Sequence, residues 1–471
     1  MMAASIVRKC SLCFATARQL KSLYPMSRRL QTSSSDNEYV ADIVISGGGM
    51  VGAAMACALG HEELLKHKRV ILLEAAPKRE FKLPETFSNR TCTLSPATVK
   101  LLNSFGAWEE IQKMRCHPVH RMQVWDSCSN SLITFNQEEM TQELAFVAEN
   151  DIILEGITRR LDAVKDKVEV WYKTKGKQYV IPGGESSEDN SWITVHLDSG
   201  KTIKTKLLIG ADGFKSAVRD ASKLHVVSWD YKQAAVVATL CVSETENTVA
   251  WQRFLPTGPI AMLPLSRSVS NLIWTTTPEN AKYLLEVEEE RFVDAVNDAF
   301  WHDRDMNSVA VSVGNFLTNI SNNLLQGDTS TRQLPPTVTG IQAGSRVSFP
   351  LGLTHSSNYV RSRVALIGDA AHRFHPLAGQ GVNLGFGDVT CLRDVLTKAV
   401  YDGSDLGSLS YLVDYETQRQ RKVLPVIATI EFLQRLYNTN LTPIVLLRSL
   451  GLQATNTLTF VKDRIIKEAT S

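Results

Sequence analysis

Six residues, Gly47-Gly48-Gly49-Met50-Val51-Gly52, restrict the fold of this chain more than any others. They follow a short apolar run, Asp42–Ser46, that reads as a strand. They lead into Met50–Leu59, a stretch of small residues that reads as a helix, and Lys68–Leu73 reads as a second strand. Strand, tight glycine turn, helix and strand make one βαβ unit. In the pattern G-x-G-x-x-G, Gly47 permits the turn off the strand, Gly49 lets a pyrophosphate approach the backbone, and Gly52 lets helix and strand pack closely. The unpaired N–H groups and positive end of the helix favour phosphate charge. Glu74 ends the second strand, where a carboxylate can accept hydrogen bonds from a ribose diol. The context makes this a dinucleotide fingerprint but does not say which dinucleotide.

Two later loops make that distinction. Arg363–Ile367 reads as a strand and delivers Gly368-Asp369-Ala370-Ala371-His372, then His375-Pro376-Leu377-Ala378-Gly379-Gln380-Gly381-Val382-Asn383. A carboxylate at a strand end, Asp369, suits a cofactor's chain of hydroxyls. The Pro-x-x-Gly-x-Gly-x-Asn turn opens a new helix with free N–H donors, which can stabilise negative charge at the electron-rich end of a flavin ring. The cofactor expected is therefore FAD. A third element, Asp212-Gly213 with Ser216 and Arg219, follows the strand Thr202–Ile209. Asp-Gly alone is a common turn, and it gains meaning only from its place between the other two loops.

The rest of the chain fits an α/β protein with a Rossmann-like FAD-binding domain interleaved with a β-sheet substrate domain, closed by C-terminal helices. Arg121–Trp125, Trp192–Leu197, Ala235–Val242, Trp251–Leu255, Ile260–Leu265 and Asn271–Thr275 have strand character, with Pro, Gly or Asn between several of them. The FAD-binding pieces are expected over residues 36–120, 140–220 and 345–400. The substrate domain is expected over 121–139 and 221–344, and the helical region over 401–471. Residues 174–191 and 303–338 are polar and read as surface insertions.

The first 35 residues hold Arg8, Lys9, Arg18, Lys21, Arg28 and Arg29 and no acid. That is the composition of a mitochondrial presequence. The formal net charge of +2 over 471 residues argues against nucleic acid as a main partner. The eight cysteines show no metal spacing in the folded part, and Cys10 and Cys13 fall inside the basic leader. No metal is expected, and reduced thiols are the default.

Together and in this order, the three loops resemble those of the aromatic-ring flavoprotein monooxygenases, the group typified by p-hydroxybenzoate hydroxylase. The resemblance implies that the first loop holds the FAD pyrophosphate. It also implies that Gly368-Asp369 holds the ribityl chain, with Gly379, Gln380, Gly381 and Asn383 flanking the ring, and that Asp212-Gly213 closes the pyrophosphate side. Arg90, in Ser88-Asn89-Arg90 before an expected helix, looks like the family's arginine near the cofactor. Pro376 would lie beside the flavin. His372 and His375 are acid–base candidates, with a packing role as the plainer alternative.

The string Trp251-Gln252-Arg253-Phe254-Leu255 to Leu265 is similar to one in the ubiquinone-synthesis hydroxylases, and Tyr415-Glu416-x-x-Arg419 fits them as well. The string makes Trp251, Arg253, Phe254 and Pro264 substrate-pocket candidates, against the plain alternative of sheet core. With the basic leader, the resemblance implies hydroxylation of ring carbon five of a polyprenylated 4-hydroxybenzoate-derived intermediate, with dioxygen as co-substrate. It further implies electrons from ferredoxin and ferredoxin reductase, a complex with other ubiquinone-synthesis proteins, and peripheral contact with the matrix face of the inner membrane. The competing readings are an NADPH-fed FAD hydroxylase of another phenolic or isoprenoid substrate and a non-catalytic prenyl-binding protein of the same fold.

Overall fold

The Gly47 turn lies in the middle of a large sheet. The fold comes from a computed structural model, which describes residues 37–129, 131–136, 143–182, 192–243, 246–302, 333–439 and 441–457. The basic leader and the core of the 303–338 insertion lie outside these residues. One sheet has eight strands among the described residues, six of them in the order Val360–Arg361, Val364–Leu366, Thr202–Gly210, Glu38–Ser46, Val70–Glu74 and Val168–Tyr172. Glu38–Ser46 pairs in parallel with Val70–Glu74, which pairs in parallel with Val168–Tyr172. Strands with no exposed face need apolar side chains on both sides. Ile43, Val44, Ile45 and Val70 to Leu73 are accordingly buried.

The helix Met50–His61 covers this sheet, and its small residues let it come close. A Cβ at Gly52 would stand 2.0 Å from the Gly47 carbonyl oxygen, and one at Gly60 would meet Val164 and Val168 at 2.8 Å.

The stretch read as a polar insertion over 174–191 is partly sheet. Gly176–Val180 pairs antiparallel with Ile193–Leu197, which pairs with Thr202–Gly210. The strand expected at Trp192–Leu197 therefore extends the first sheet and not the β-rich second one.

The second sheet has nine strands among the described residues: eight along the path His372–Arg373, Val347–Ser356, Val226–Val242, Val269–Thr276, Gly258–Pro264, Val249–Leu255, Arg121–Asp126 and Leu132–Asn136, and Val338–Ile341, which pairs with Val226–Val242 off that path. Its longest strand, Val226–Val242, starts well before the expected Ala235. One face packs under the helices Pro278–Glu286 and Glu289–Trp301, burying Trp125, Trp251, Trp274, Phe292 and Phe300. The other face turns toward a three-stranded sheet, Thr91–Leu94, Ala145–Glu149 and His117–Val119, and toward the long helix Leu409–Tyr437. The chain passes from first sheet to second within a few residues, from Val364–Leu366 to His372–Arg373. The Gly368-Asp369 loop is that crossing.

Candidate active site

The three glycine loops, far apart in sequence, meet at the carboxyl ends of the central strands. A Cβ on Gly47, which has φ +108°, would lie 2.4 Å from the Ala211 carbonyl oxygen. Ala211 N–H donates to the Ser46 carbonyl at 2.8 Å, and Ile367 N–H to the Gly210 carbonyl at 2.9 Å. Arg219, buried, donates to the carbonyls of Phe214 and Ala370 at 2.8 and 3.0 Å, tying the Asp212 loop to the Asp369 loop.

Two helices point their amino ends into this meeting place. Met50–His61 starts at Gly49 and Gly381–Tyr401 starts at Gln380; neither has a side-chain cap or an acid in its first turn. Nothing lies within 4 Å of where a Cβ on Gly49 or Gly381 would be. Four N–H groups at each helix start need partners, and open space in front of them suits an anionic or electron-rich ligand. Glu74 closes the first loop, accepting from Gly48 N–H at 2.9 Å and Ala76 N–H at 2.6 Å.

Asp369 shows a different fit. Its side chain is open to solvent, and no hydrogen bond to it is seen among the described residues. Yet the walls around it withhold enough water to raise its pKa above the usual carboxylate range. A partly desolvated carboxylate with no hydrogen-bond partner among the described residues suits a ligand's hydroxyls. These features together fit a flavin dinucleotide.

Several motif residues hold the loops instead of facing the opening. Asp212 accepts from Ser216 Oγ at 2.5 Å and from the N–H groups of Ala217 and Val218, so it caps the short helix Ala217–Ala221; burial raises its pKa despite these bonds. Gly213, at φ +80°, supplies the turn beside it. Asn383 spends its whole amide on clamping. Its oxygen accepts from Ser95 N–H and Thr98 Oγ1, and its nitrogen donates to the carbonyls of Thr93 and, at 3.4 Å, Gly379. Gly368 and Gly379 take φ of +60° and +61°, which favours glycine. Gln380 is half-buried at the helix start.

Arg90 precedes the strand Thr91–Leu94, not a helix, and its side chain is exposed. Its loop is braced by Arg115, which bonds Glu149 and the carbonyls of Pro84 and Thr86, and by Gln342, which pairs with the Phe87 backbone.

Of the two histidines, His372 belongs to a buried network. Its Nε2 lies 2.7 Å from Asp388 Oδ2, which also accepts from Gly368 N–H, while Asp388 Oδ1 takes Arg419 Nε at 2.7 Å. Burial raises the Asp388 pKa, but His372, Arg419 and these bonds outweigh it and hold the carboxyl below its usual value. Tyr415 donates to the Leu366 carbonyl, and Glu416 accepts from the N–H groups of Tyr359 and Val360. The Tyr-Glu-x-x-Arg string thus buttresses the Asp369 loop from behind. His375 is buried in the turn beside Pro376. Its Nδ1 accepts from Leu377 N–H, and burial lowers its pKa to about 4, so the ring is neutral.

The pocket candidates separate by strand alternation. Phe254 shares an apolar cluster with Phe374 and Leu377 of the flavin-type loop, and stacks on Tyr437 at 3.9 Å. Trp251 and Arg253 point to the opposite face. There Trp251 packs in the core with Trp125, and fully buried Arg253 donates to the carbonyls of Ala299 and His302. Pro264, two residues beyond Met262, falls on that same far face. A cavity of about 560 Å³ lies beside Trp251, His120 and Gln333, and no residue of the three loops lines it.

Asp388 was not singled out in the sequence, although an acid inside an otherwise apolar helix stretch is a usable signal. Tyr231, whose ring meets that of His375, and Glu431, which accepts from the Tyr231 phenol, carry no local signal.

A family model described as an FAD binding domain matches residues 40–309 and 340–428. The ubiquinone biosynthesis monooxygenase COQ6, mitochondrial, of Xenopus tropicalis is 53% identical over 436 residues, covering 92% of this chain and 94% of that protein. The human protein of the same name is 49% identical over 468 residues, 99% of each chain. Among solved structures, p-nitrophenol 4-monooxygenase from Pseudomonas putida superposes with a TM-score of 0.66 at 16% identity, over 92% of this chain and 99% of that one. PqsL, a probable FAD-dependent monooxygenase from Pseudomonas aeruginosa, gives 0.65 at 21%, over 88% and 100%. The structural likenesses speak for the fold, and the sequence likenesses for the chemistry: the chain belongs to the family of FAD-dependent ubiquinone-biosynthesis monooxygenases.

Proposed function

We propose that this enzyme hydroxylates carbon five of the aromatic ring of a polyprenylated 4-hydroxybenzoate-derived intermediate. The observation that carries the reading is the convergence of the three loops on one opening, combined with end-to-end similarity to ubiquinone-biosynthesis enzymes. FAD, when bound and reduced by the electron donor, would supply the activation of dioxygen, of which one oxygen atom goes to the ring and the other to water; the chain binds, orients and shields. The Gly49 helix start takes the pyrophosphate, Glu74 a ribose diol, and Asp369 the ribityl hydroxyls. Gln380 and Gly381 would present N–H donors to the electron-rich end of the ring, with Gly379, at φ +61°, shaping the turn before them. Pro376 and neutral His375 lie beside it, and Phe254 with its apolar neighbours receives the substrate's non-polar part.

The mitochondrial names of the relatives and the basic leader support a mitochondrial location on the matrix face of the inner membrane. No described helix is long and apolar enough to cross a membrane. Phe432, Leu441 and Leu447 are more than half exposed, and from Thr417 to Thr457 the lone acid is buried Glu431. Exposed Arg421, Lys422 and Arg435 share that stretch. Such a surface suits peripheral contact with anionic lipid. Ferredoxin and its reductase are the proposed electron donors, within a complex of ubiquinone-synthesis proteins.

The decisive experiment is quinone analysis of cells lacking the protein. Accumulation of an intermediate unhydroxylated at carbon five supports the reading, and normal ubiquinone sinks it. Reduction of the purified flavoprotein by ferredoxin but not by NADPH tests the donor. Asp369→Ala is expected to purify without FAD; a variant carrying full flavin refutes that residue's role.

A further inference from the structure

The turn that carries His375 is anchored by two residues that no cofactor motif contains. Between Arg373 and Gly379 its own bonds are internal: Leu377 N–H to His375 Nδ1, and Gly379 N–H to the Pro376 carbonyl. Tyr231 reaches it from the second sheet. The pairing of Val226–Val242 with Val347–Ser356 is interrupted between Asp230 and Ala234, and Lys232 takes φ +55°. Such a bulge re-aims the side chains around it. The Tyr231 ring meets the His375 ring edge-on, with centroids 5.2 Å apart and planes at 72°. Its phenol donates to Glu431 Oε1.

Glu431 is a poor fit for its surroundings unless that bond matters. It is 8% exposed, on a helix face that also buries Val423, Ile427 and Ile430 in an apolar cluster. Burying a carboxylate there costs free energy that an apolar residue would not. Its second oxygen has no hydrogen-bond partner among the described residues and stands 3.7 Å from the exposed guanidinium of Arg435. Burial first, and the bond to Glu431 second, push the Tyr231 pKa up, so the phenol stays a neutral donor.

We propose that Tyr231 and Glu431 are positioning residues for the monooxygenase reaction. The pair links the Leu409–Tyr437 helix to the His375 ring, whose Nδ1 holds Leu377 N–H, and so fixes the height of the Gly379–Gly381 helix start against the flavin ring. This rests on the reading that the turn faces the flavin. A displacement of about 1 Å at a reacting centre costs up to about a hundred-fold in rate, and losing one of several anchors is expected to cost about ten-fold.

The test uses the full chain loaded with FAD and three variants, Tyr231→Phe, Glu431→Leu and Glu431→Gln. The readouts are flavin absorption of the purified protein, FAD content, thermal midpoint and ubiquinone synthesis in cells lacking the wild-type copy. Tyr231→Phe and Glu431→Leu should each shift the flavin band and lower synthesis about ten-fold at unchanged FAD content. Combining them should be no worse than either alone. Glu431→Gln should stay within about two-fold of wild type, because its amide oxygen still accepts the phenol proton. If either severe variant fails to fold, Glu431→Gln against the other severe variant still decides the matter.

An unshifted spectrum with wild-type synthesis in Tyr231→Phe overturns the proposal, as does a Glu431→Gln as damaged as Glu431→Leu. Gly379→Ala separates the two levels. If it also leaves the flavin band unmoved, the turn does not face the flavin; if it alone shifts the band, the turn does but the pair does not position it.

Discussion

The two helix starts that face the opening are alike in charge and opposite in construction. Both lack a side-chain cap and a first-turn acid. The Met50–His61 start is fixed by the backbone itself: Gly47 is pressed against Ala211, and Gly52 against Gly47. The Gly381–Tyr401 start is fixed by side chains arriving from elsewhere, with Asn383 reaching Thr93, Ser95 and Thr98, and Asp388 reaching Gly368, His372 and Arg419. A backbone cradle admits no substitution and gives the same geometry wherever it occurs. A side-chain cradle can be adjusted one contact at a time, which suits the half of a cofactor site where chemistry is tuned.

The largest expected effect breaks the backbone cradle. Gly52→Val places its Cβ where the Gly47 carbonyl oxygen already is, 2.0 Å away, with no flexible side chain to move aside. The variant should yield no FAD-containing protein, and even Gly52→Ala should lose most of it. Flavin content of the purified protein is the measure. A Gly52→Ala enzyme with full FAD would mean that the strand-to-helix distance is softer than drawn.

Breaking the side-chain cradle should cost less and leave a measurable protein. Arg419→Leu strands Asp388, which is fully buried, with His372 and one backbone N–H as partners. Removing one member of a buried ion pair typically costs about 3–5 kcal/mol. Chemical denaturation at pH 7 should show a loss of that order. A loss below about 1 kcal/mol would place the support of the Asp369 loop elsewhere, with Tyr415 and Glu416 next in line.

The same contrast explains what the sequence could say. Gly47 and Gly52 announce themselves because each position forbids a side chain, Gly49 because it completes their spacing at the open helix start, and Asp369 because it ends a strand before a turn. Strand positions were legible where apolar runs were flanked by turn residues, as at Val249–Leu255 and Gly258–Pro264. Which face becomes core was not: alternation puts Trp251 and Phe254 on opposite faces, and only the packing of helix Glu289–Trp301 on one side tells which of them it covers. The strand Gly176–Val180 was hidden for a related reason. Its polar residues pair with an edge and bury little beyond Gly176 and Tyr179. Tyr231 and Glu431, 200 residues apart, meet through tertiary structure that no local pattern encodes.

Acid should sharpen the comparison further, because His375 sits in the side-chain cradle as a buried neutral base. Its folded pKa, lowered by burial to about 4, lies below the ordinary histidine value of 6.5. Between these values the unfolded chain binds more protons than the folded one. The stability that neutral His375 contributes is therefore complete above about pH 6.5 and lost as pH falls toward 4. The full swing is about 3 kcal/mol, from about 1.4 kcal/mol per unit of pKa difference. His375→Asn keeps an acceptor for Leu377 N–H but has no proton to gain. Denaturant midpoints measured from pH 7 to 4.5 should fall less steeply in this variant than in wild type. Parallel slopes would show that the turn opens to water before the histidine titrates.

The smallest effect separates the two faces of the second sheet. Phe254 lies on the face shared with Phe374 and Leu377, stacked on Tyr437, whereas Trp251 lies in the opposite core against Trp125. Phe254→Leu keeps most of the apolar volume and loses the aromatic stack, which is worth about 0.5–1.5 kcal/mol. If the substrate's apolar part lies on that face, KM should rise several-fold with little change in kcat. Trp251→Phe also retains an apolar ring, but it loses packing on the far side. It should lower the thermal midpoint by a few degrees, from about 1–2 kcal/mol of lost burial, and leave KM unchanged. The reverse assignment, with KM sensitive to Trp251 and indifferent to Phe254, would move the substrate to the helix-covered side of the sheet and detach it from the flavin-type loops.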